Sequence, residues 1–264
     1  ERLGIPVLGI VPHAEHLLPD EDSQDLVKTR GAGDLKVGVI MLPRISNFTD
    51  LDALALEGVR VVYIREPRSL ESVDAVIVPG TKNTVGDLKW LHERGLFDAI
   101  RGLRGKVPIL GICGGYQMLG REIIDLNGIE GDAGATWEGL GIIDVTTRFE
   151  AYEKRTVQVT GRLAVGDGEV RGYEIHMGES ESREAPLFIL DENGGTKNEG
   201  AITEDGLVMG SYVHGLFDLP SFRQFFLSKM PGSSARRTSA LDHDRSVEDD
   251  LNVLASVVGL NLDI

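Results

Sequence analysis

Residues 107–120 read Val-Pro-Ile-Leu-Gly-Ile-Cys-Gly-Gly-Tyr-Gln-Met-Leu-Gly. A continuous apolar run ends in a turn framed as Gly111-x-Cys113-x-Gly115, and a helical pattern follows. This is the thiol form of a nucleophile elbow, in which a sharp strand-to-helix turn pushes a reactive side chain out of the backbone. Glycines flank it because the turn is strained and a side chain there would clash. A thiol so placed lies at a helix N-terminus, where the macrodipole and free N–H groups favour thiolate and can receive an oxyanion. A lone cysteine after a hydrophobic strand is commonly just a small buried hydrophobe. The glycine frame between a β-like and a helical run tips this one toward reactivity.

The 264 residues suffice for one large or two modest domains with real cores. No apolar stretch reaches the length of a membrane span. The opening Glu-Arg-Leu-Gly-Ile-Pro lacks the basic segment of a signal peptide. One cysteine permits no internal disulfide, which fits a reducing cytoplasm. Lys and Arg total 27 against 42 Asp and Glu, so the chain carries −15, and nucleic-acid binding through a basic face is not expected. Neither nucleic acid nor membrane is expected as a partner, and the sequence is compatible with a homo-oligomer. The first residue is not Met, so the chain reads as part of a longer protein.

From Lys36 onward short apolar runs alternate with helical patterns. Strands are expected at 37–42, 59–64, 74–78 and 107–112, and helices at 49–56 (capped by Asn47 or Thr49), 84–93 and 97–103. Continuous apolar strands separated by helices imply an α/β fold with a mostly parallel sheet covered on both faces. After about Gly139 β-like stretches dominate, at 140–149, 156–165, 170–177 and 207–213. They predict an antiparallel β-rich second half that returns to the main sheet. Helices are expected at 221–230 and 248–258, joined by a polar link at 231–240. Residues 1–34 hold one strand-like run, 5–12, with no sheet of its own. The expected organisation is therefore 1–34 as the tail of another unit plus a linker, 35–230 as the main domain, and 231–264 as a link and C-terminal helix.

A catalytic thiol needs a base within reach. Of six histidines, His13 and His16 lie in the N-terminal segment, His92 in a charged helix and His243 in a polar tail. His176 in Gly172-Tyr-Glu-Ile-His-Met-Gly178 and His214 in Ser211-Tyr-Val-His-Gly-Leu-Phe217 remain. His214 ends a strand, where sites gather in open α/β sheets. His176 alternates with Glu174 and reads equally well as a structural histidine. A triad would want an acid to orient the base. Two residues past His214 stands Leu216, so either the site is a dyad, or a backbone carbonyl or a distant acid orients the ring. No cluster has metal-ligand spacing.

These stretches together resemble the class I glutamine amidotransferases, and among them the branch that amidates corrinoid carboxylates. Gly111-Ile-Cys-Gly-Gly-Tyr-Gln-Met-Leu-Gly120 is similar to the family's nucleophile motif. Residues 172–178 and 211–217 are similar to its two downstream motifs, and Val78-Pro-Gly-Thr-Lys-Asn-Thr84 to its oxyanion loop. Leu42-Pro-Arg-Ile-Ser-Asn-Phe-Thr-Asp50 resembles a signature of the branch that completes corrinoid amidation, rather than of the relative that makes the diamide. A cell-wall lipid amidating glutaminase subunit shares the Cys-Gly-Gly-Tyr-Gln motif, and a non-catalytic module on the same fold is a further alternative.

The resemblance implies a flavodoxin-like sheet and a Cys113–His214 glutaminase. It also implies an oxyanion hole from the amides of Gly80 (or its neighbour) and Gly114, and glutamine contacts from Gln117. Arg148 is the candidate fork for the α-carboxylate, and Glu174 for the α-amino group or as a buttress of His176. Tyr116 and Tyr173 are candidate pocket walls. The family further implies a separate P-loop-type synthetase domain that uses ATP and Mg2+ and binds the corrinoid, in cobalamin biosynthesis. This chain has no Gly-x-x-x-x-Gly-Lys-Ser/Thr loop. Residues 1–34 are therefore expected to be the end of that domain, and this chain to hold no cofactor or metal and to act at most as a glutaminase.

Overall fold

The computed structural model describes residues 9–12, 33–55, 57–152, 155–166, 168–192, 194–232 and 243–262. The central sheet begins with β1 (Lys36–Ile40), β2 (Arg60–Ile64), β3 (Ala75–Val78) and β4 (Ile109–Ile112). Between them lie a 3-10 turn at Phe48–Leu51, α1 (Asp52–Ala55), a second 3-10 turn at Pro67–Ser72, α2 (Thr84–Glu93) and α3 (Leu96–Arg101). After β4 come α4 (Gly114–Leu119), β5 (Glu122–Asp125), β6 (Ala135–Glu138), β7 (Val145–Phe149), β8 (Arg155–Leu163), β9 (Glu169–His176), β10 (Glu179–Ser182), β11 (Phe188–Glu192) and β12 (Gly195–Glu199). The chain continues through β13 (Ala201–Ile202), β14 (Val208–Ser211), β15 (Val213–His214), α5 (Pro220–Ser228) and α6 (His243–Asn261).

The six-stranded sheet runs β2-β1-β3-β4-β14-β13 and is parallel except for the β13–β14 pair. Its strands are apolar apart from Lys36, Arg60 and Ser211 at their ends, because both faces are covered. Val37, Val39, Ala75, Ile77, Leu110 and Met209 face one core, which α1, α5 and the β8–β9–β11 layer close. The alternate residues Ile40, Val76, Val78, Ile109 and Val208 face a second core under α2, α3 and α4. A period of two thus splits each strand between two hydrophobic cores.

Two smaller sheets complete the molecule: β10-β7-β5-β6, and β12-β11-β8-β9-β15. The return of β13 and β14 to the main sheet agrees with the sequence pattern. The β-rich part begins earlier than Gly139, however, at β5, and the β5–β7 pair is parallel. Only Val145–Phe149 of the expected strand 140–149 is extended. Leu140, Ile142 and Ile143 are buried in a turn whose N–H groups donate to the carbonyls of Met118 and Leu119. Burial rather than extension explains that apolar run.

The expected helix at 49–56 is a 3-10 turn followed by one short α turn, and Asn47 before it has φ 52°. The last helix is longer than expected, and Leu262 just after it bridges to Gly9. The bulk of the 1–34 segment, including His13 and His16, and most of the 231–240 link lie outside the described residues. No described helix is long and apolar enough to cross a membrane.

Candidate active site

Cys113 stands between the carboxyl end of β4 and the start of α4 with φ 52° and ψ −113°, a conformation that favours glycine. The framing glycines make this possible. A Cβ on Gly115 would lie 1.9 Å from the Val78 carbonyl oxygen, and one on Gly111 would lie 2.7 Å from the Tyr116 backbone. The Cys113 N–H donates to the Ser211 carbonyl at 2.8 Å, tying the nucleophile to the adjacent strand β14. Its thiol donates toward the Ile175 carbonyl at 3.6 Å.

At Ser211 the chain leaves the central sheet. Two residues later β15 pairs with β9 instead, with His214 opposite Tyr173. The Tyr173 ring stacks on the His214 ring with centroids 5.2 Å apart. A Cβ on Gly80 would lie 3.2 Å from His214 Cε1, so the bare backbone of the β3 loop forms the facing wall. A Cβ on Gly114 would meet Thr81 and Thr84. Cys113, His214, Gly80 and Gly114 are thus brought to one place at the carboxyl edge of the sheet.

His214 is buried, and its Nδ1 lies 2.6 Å from Asp50 Oδ2. The second oxygen of Asp50 accepts the Gly215 N–H at 2.9 Å. Both hydrogen bonds fix the ring, and Nε2 is left without a hydrogen-bond partner among the described residues. Burial works against the imidazolium. The hydrogen bond to Asp50, the nearby Cys113 and the charges of both outweigh it and hold the His214 pKa up at about 10. Tyr173 is pushed up to about 12 by burial and by the charges of Asp50, Asp218 and Cys113.

Asp50 is the residue that sequence reasoning did not find. It lies inside the Leu42–Asp50 stretch, but no spacing rule joins it to a histidine so far along the chain. Of the choices left open for orienting His214, the structure realises the distant acid.

The other sequence candidates are placed as follows. The Gln117 side chain is buried with its amide engaged on three protein groups. It accepts from Thr84 Oγ1 at 2.8 Å and donates to the Met177 carbonyl at 2.9 Å and to Tyr212 Oη at 3.1 Å. Arg148 is half-buried in β7, on the four-stranded sheet, opposite Glu179. Glu174 is fully buried in β9, with Lys197 Nζ 3.9 Å away. By strand alternation its side chain points away from the face on which Tyr173 covers His214. Tyr116 packs in the core, close enough that a Cβ on Gly210 would strike its ring. His176 stacks on Tyr212 at 3.7 Å, with Nδ1 3.1 Å from the Gly178 carbonyl oxygen. Asn83 caps α2 by accepting from the Gly86 N–H. Among the described residues no three His, Cys, Asp or Glu side chains are arranged to hold a metal ion.

Residues 36–222 match the family described as the CobB/CobQ-like glutamine amidotransferase domain. The chain belongs to that family. It is 42% identical over 279 residues to the probable cobyric acid synthase of Methanosarcina mazei, covering 100% of this chain and 54% of that protein. It is 46% identical over 236 residues to the cobyric acid synthase of Salmonella typhimurium, covering 83% of this chain and 46% of that one. The chain therefore spans about half the length of the curated relatives it matches.

Among solved structures, a glutamine amidotransferase superposes with TM-score 0.52 at 20% identity, over 73% of this chain and 97% of that one. PurLQS from Thermotoga maritima superposes with TM-score 0.51 at 17% identity, over 83% and 99%. At these identities the likeness is one of fold: a CobB/CobQ-like domain built on the α/β sheet of glutamine amidotransferases.

Proposed function

We propose that this chain is the glutamine-hydrolysing half of a cobyric acid synthase. The observation that carries the reading is the convergence of Cys113, His214 and Asp50 at the carboxyl edge of the central sheet. The names of the relatives supply the acceptor class, a corrinoid carboxylate.

In this reading the Cys113 thiol gives its proton to His214 Nε2, its sulfur attacks the side-chain amide carbon of glutamine, and the C=O electron pair moves onto oxygen. The amides of Gly114 and of Gly80 or Thr81 receive that oxyanion. Such preorganised donors are worth about 3 kcal/mol each in the barrier. His214 Nε2–H protonates the amide nitrogen as the C–N bond breaks, releasing ammonia and leaving a γ-glutamyl thioester. His214 then takes a proton from water, which attacks the thioester. Glutamate leaves, and the thiol regains its proton.

Asp50 holds the ring by Nδ1, so Nε2 is the nitrogen that faces the reaction. Gln117, whose side-chain amide also engages Thr84, Met177 and Tyr212, stands as the candidate contact for the bound glutamine. Arg148 and Glu174 stand as the candidates for the α-carboxylate and α-amino group of glutamine. An Arg148→Met variant tests the former through KM for glutamine.

Ammonia would pass to a separate synthetase domain that binds ATP, Mg2+ and the corrinoid, and residues 1–34 would be its carboxyl end. The test is glutamate release from glutamine by this chain and by Cys113→Ser, with and without that domain added. Release by the first and none by the second is expected. No release by the wild type with the domain supplied would overturn the reading.

A further inference from the structure

The carboxylate of Glu199, at the end of β12, is buried and belongs to no step above. One oxygen accepts the Ser211 hydroxyl at 2.7 Å, and the other accepts the Tyr212 N–H at 2.7 Å. Ser211 Oγ in turn accepts the Val213 N–H at 2.9 Å. These are the residues at which the chain crosses from β14 in the central sheet to β15 in the five-stranded sheet. A strand that changes sheets loses its ladder partners, and its buried N–H groups must be satisfied some other way. Glu199 and Ser211 do so for two consecutive amides.

The crossing also has a functional residue at each side. The Ser211 carbonyl accepts the Cys113 N–H, and His214 follows Val213 directly. We infer that Glu199 is a positioning residue for glutamine hydrolysis, setting the spacing between the Cys113 thiol and the His214 ring by clamping the Ser211–Val213 crossing. The inference rests on the proposal that Cys113 and His214 are the reacting pair. A displacement of about 1 Å between reacting groups is enough to cost on the order of a hundredfold in rate.

The surroundings of this carboxylate couple it to pH. Burial, opposed by the Tyr212 and Ser211 hydrogen bonds, pushes Glu199 up to about 7. Glu174 from β9 raises it further and Lys197 from its own strand lowers it, while Tyr116 of α4 and Tyr212 lie against the same group. Protonation turns one acceptor oxygen into a donor, so the Ser211 hydroxyl must reverse its bond to the carboxyl while still accepting the Val213 N–H, and the clamp weakens.

The experiment compares the wild type with Glu199→Gln, an isostere that keeps one acceptor and cannot titrate. Steady-state glutamate release is measured in parallel with the rate of iodoacetamide alkylation. Alkylation reports Cys113 alone, because the chain has one cysteine. The expected result is a kcat lowered by roughly ten- to a hundredfold with KM for glutamine within about twofold, and a slower alkylation rate at pH 8. In addition, the part of the wild-type acid limb near pH 7 is absent from the variant. Glu192→Gln, on the exposed end of the same hairpin, is expected to behave as wild type.

Unchanged kcat and alkylation profile in folded Glu199→Gln would overturn the inference, as would a loss of rate matched by an equal loss of folded protein. Should Glu199→Gln not fold, Ser211→Ala breaks the same clamp and is held to the same changes in kcat and alkylation rate. If the wild type releases no glutamate even with the synthetase domain supplied, the glutaminase reading fails. The alkylation rates then decide the clamp on their own.

Discussion

Asp50 Oδ2 sits 2.6 Å from His214 Nδ1, joining two residues 164 positions apart in the chain. The acid comes from the short 3-10 turn after β1, and the base from the two-residue strand β15. The pair is buried, so water does not screen it.

Replacing Asp50 by Asn removes the charge that favours the imidazolium and leaves a neutral partner for Nδ1. Glutaminase kcat is expected to fall by about a hundredfold or more. The alkaline limb of the pH–rate profile, set in the wild type by loss of the His214 proton near pH 10, moves toward the ordinary histidine value of 6.5. A profile of kcat against pH from 6 to 10.5 checks both.

The same ion pair makes stability depend on pH. The folded His214 value lies above 6.5, so the folded state binds the proton more tightly than the unfolded chain does. The contribution is whole below about pH 6.5 and is lost as pH rises toward 10. Urea midpoints between pH 6 and 10 are expected to fall more steeply in the wild type than in His214→Gln.

Tyr173 stacks on His214 but holds no proton that the reaction needs. Tyr173→Phe keeps the ring and is expected to retain kcat within about twofold. Tyr173→Ala frees the imidazole to rotate and is expected to lose about tenfold or more. Parallel kinetics on the two variants separate stacking from the hydroxyl.

Gly115 meets the Val78 carbonyl so closely that no neighbouring side chain can yield to a methyl group. Gly115→Ala is expected to destabilise the domain by about 1–3 kcal/mol or more. It should also slow Cys113 alkylation by shifting the elbow. Urea unfolding and alkylation rates provide the two readouts.

Arg223 of α5 is fully buried, with Nε 2.8 Å from the equally buried Glu57 Oε1. Its Nη1 donates to the carbonyls of Phe217 and Asp218, in the loop just after His214. Arg223→Ala removes a charged partner from a buried carboxylate and is expected to cost about 3–5 kcal/mol. The double variant Arg223→Leu/Glu57→Leu should recover a large part of that loss in the same urea titration.

Local patterns in the chain were enough to specify the strand–elbow–helix unit at 107–120, the doubly covered parallel sheet, and the return of the β-rich part to that sheet. Those features follow from apolar periodicity and from glycines at turns, which act over a few residues. The stretches around Cys113, His176 and His214 were legible through their resemblance to the motifs of the glutamine amidotransferases. The tertiary structure alone decided which acid orients His214, that Gln117 turns inward onto Thr84, Met177 and Tyr212, and that the crossing at Ser211–Val213 is held by Glu199. It also decided that residues 140–144 are a buried turn and that the segment around Asp50 is a 3-10 turn instead of a longer helix. Each of these depends on which strands lie side by side and on which buried polar groups must find partners there. Side-chain pairings of this kind, such as Asp50 with His214, leave no periodic trace in the sequence, because they are set by the order of strands in the sheet and by the cost of an unpaired group in its interior.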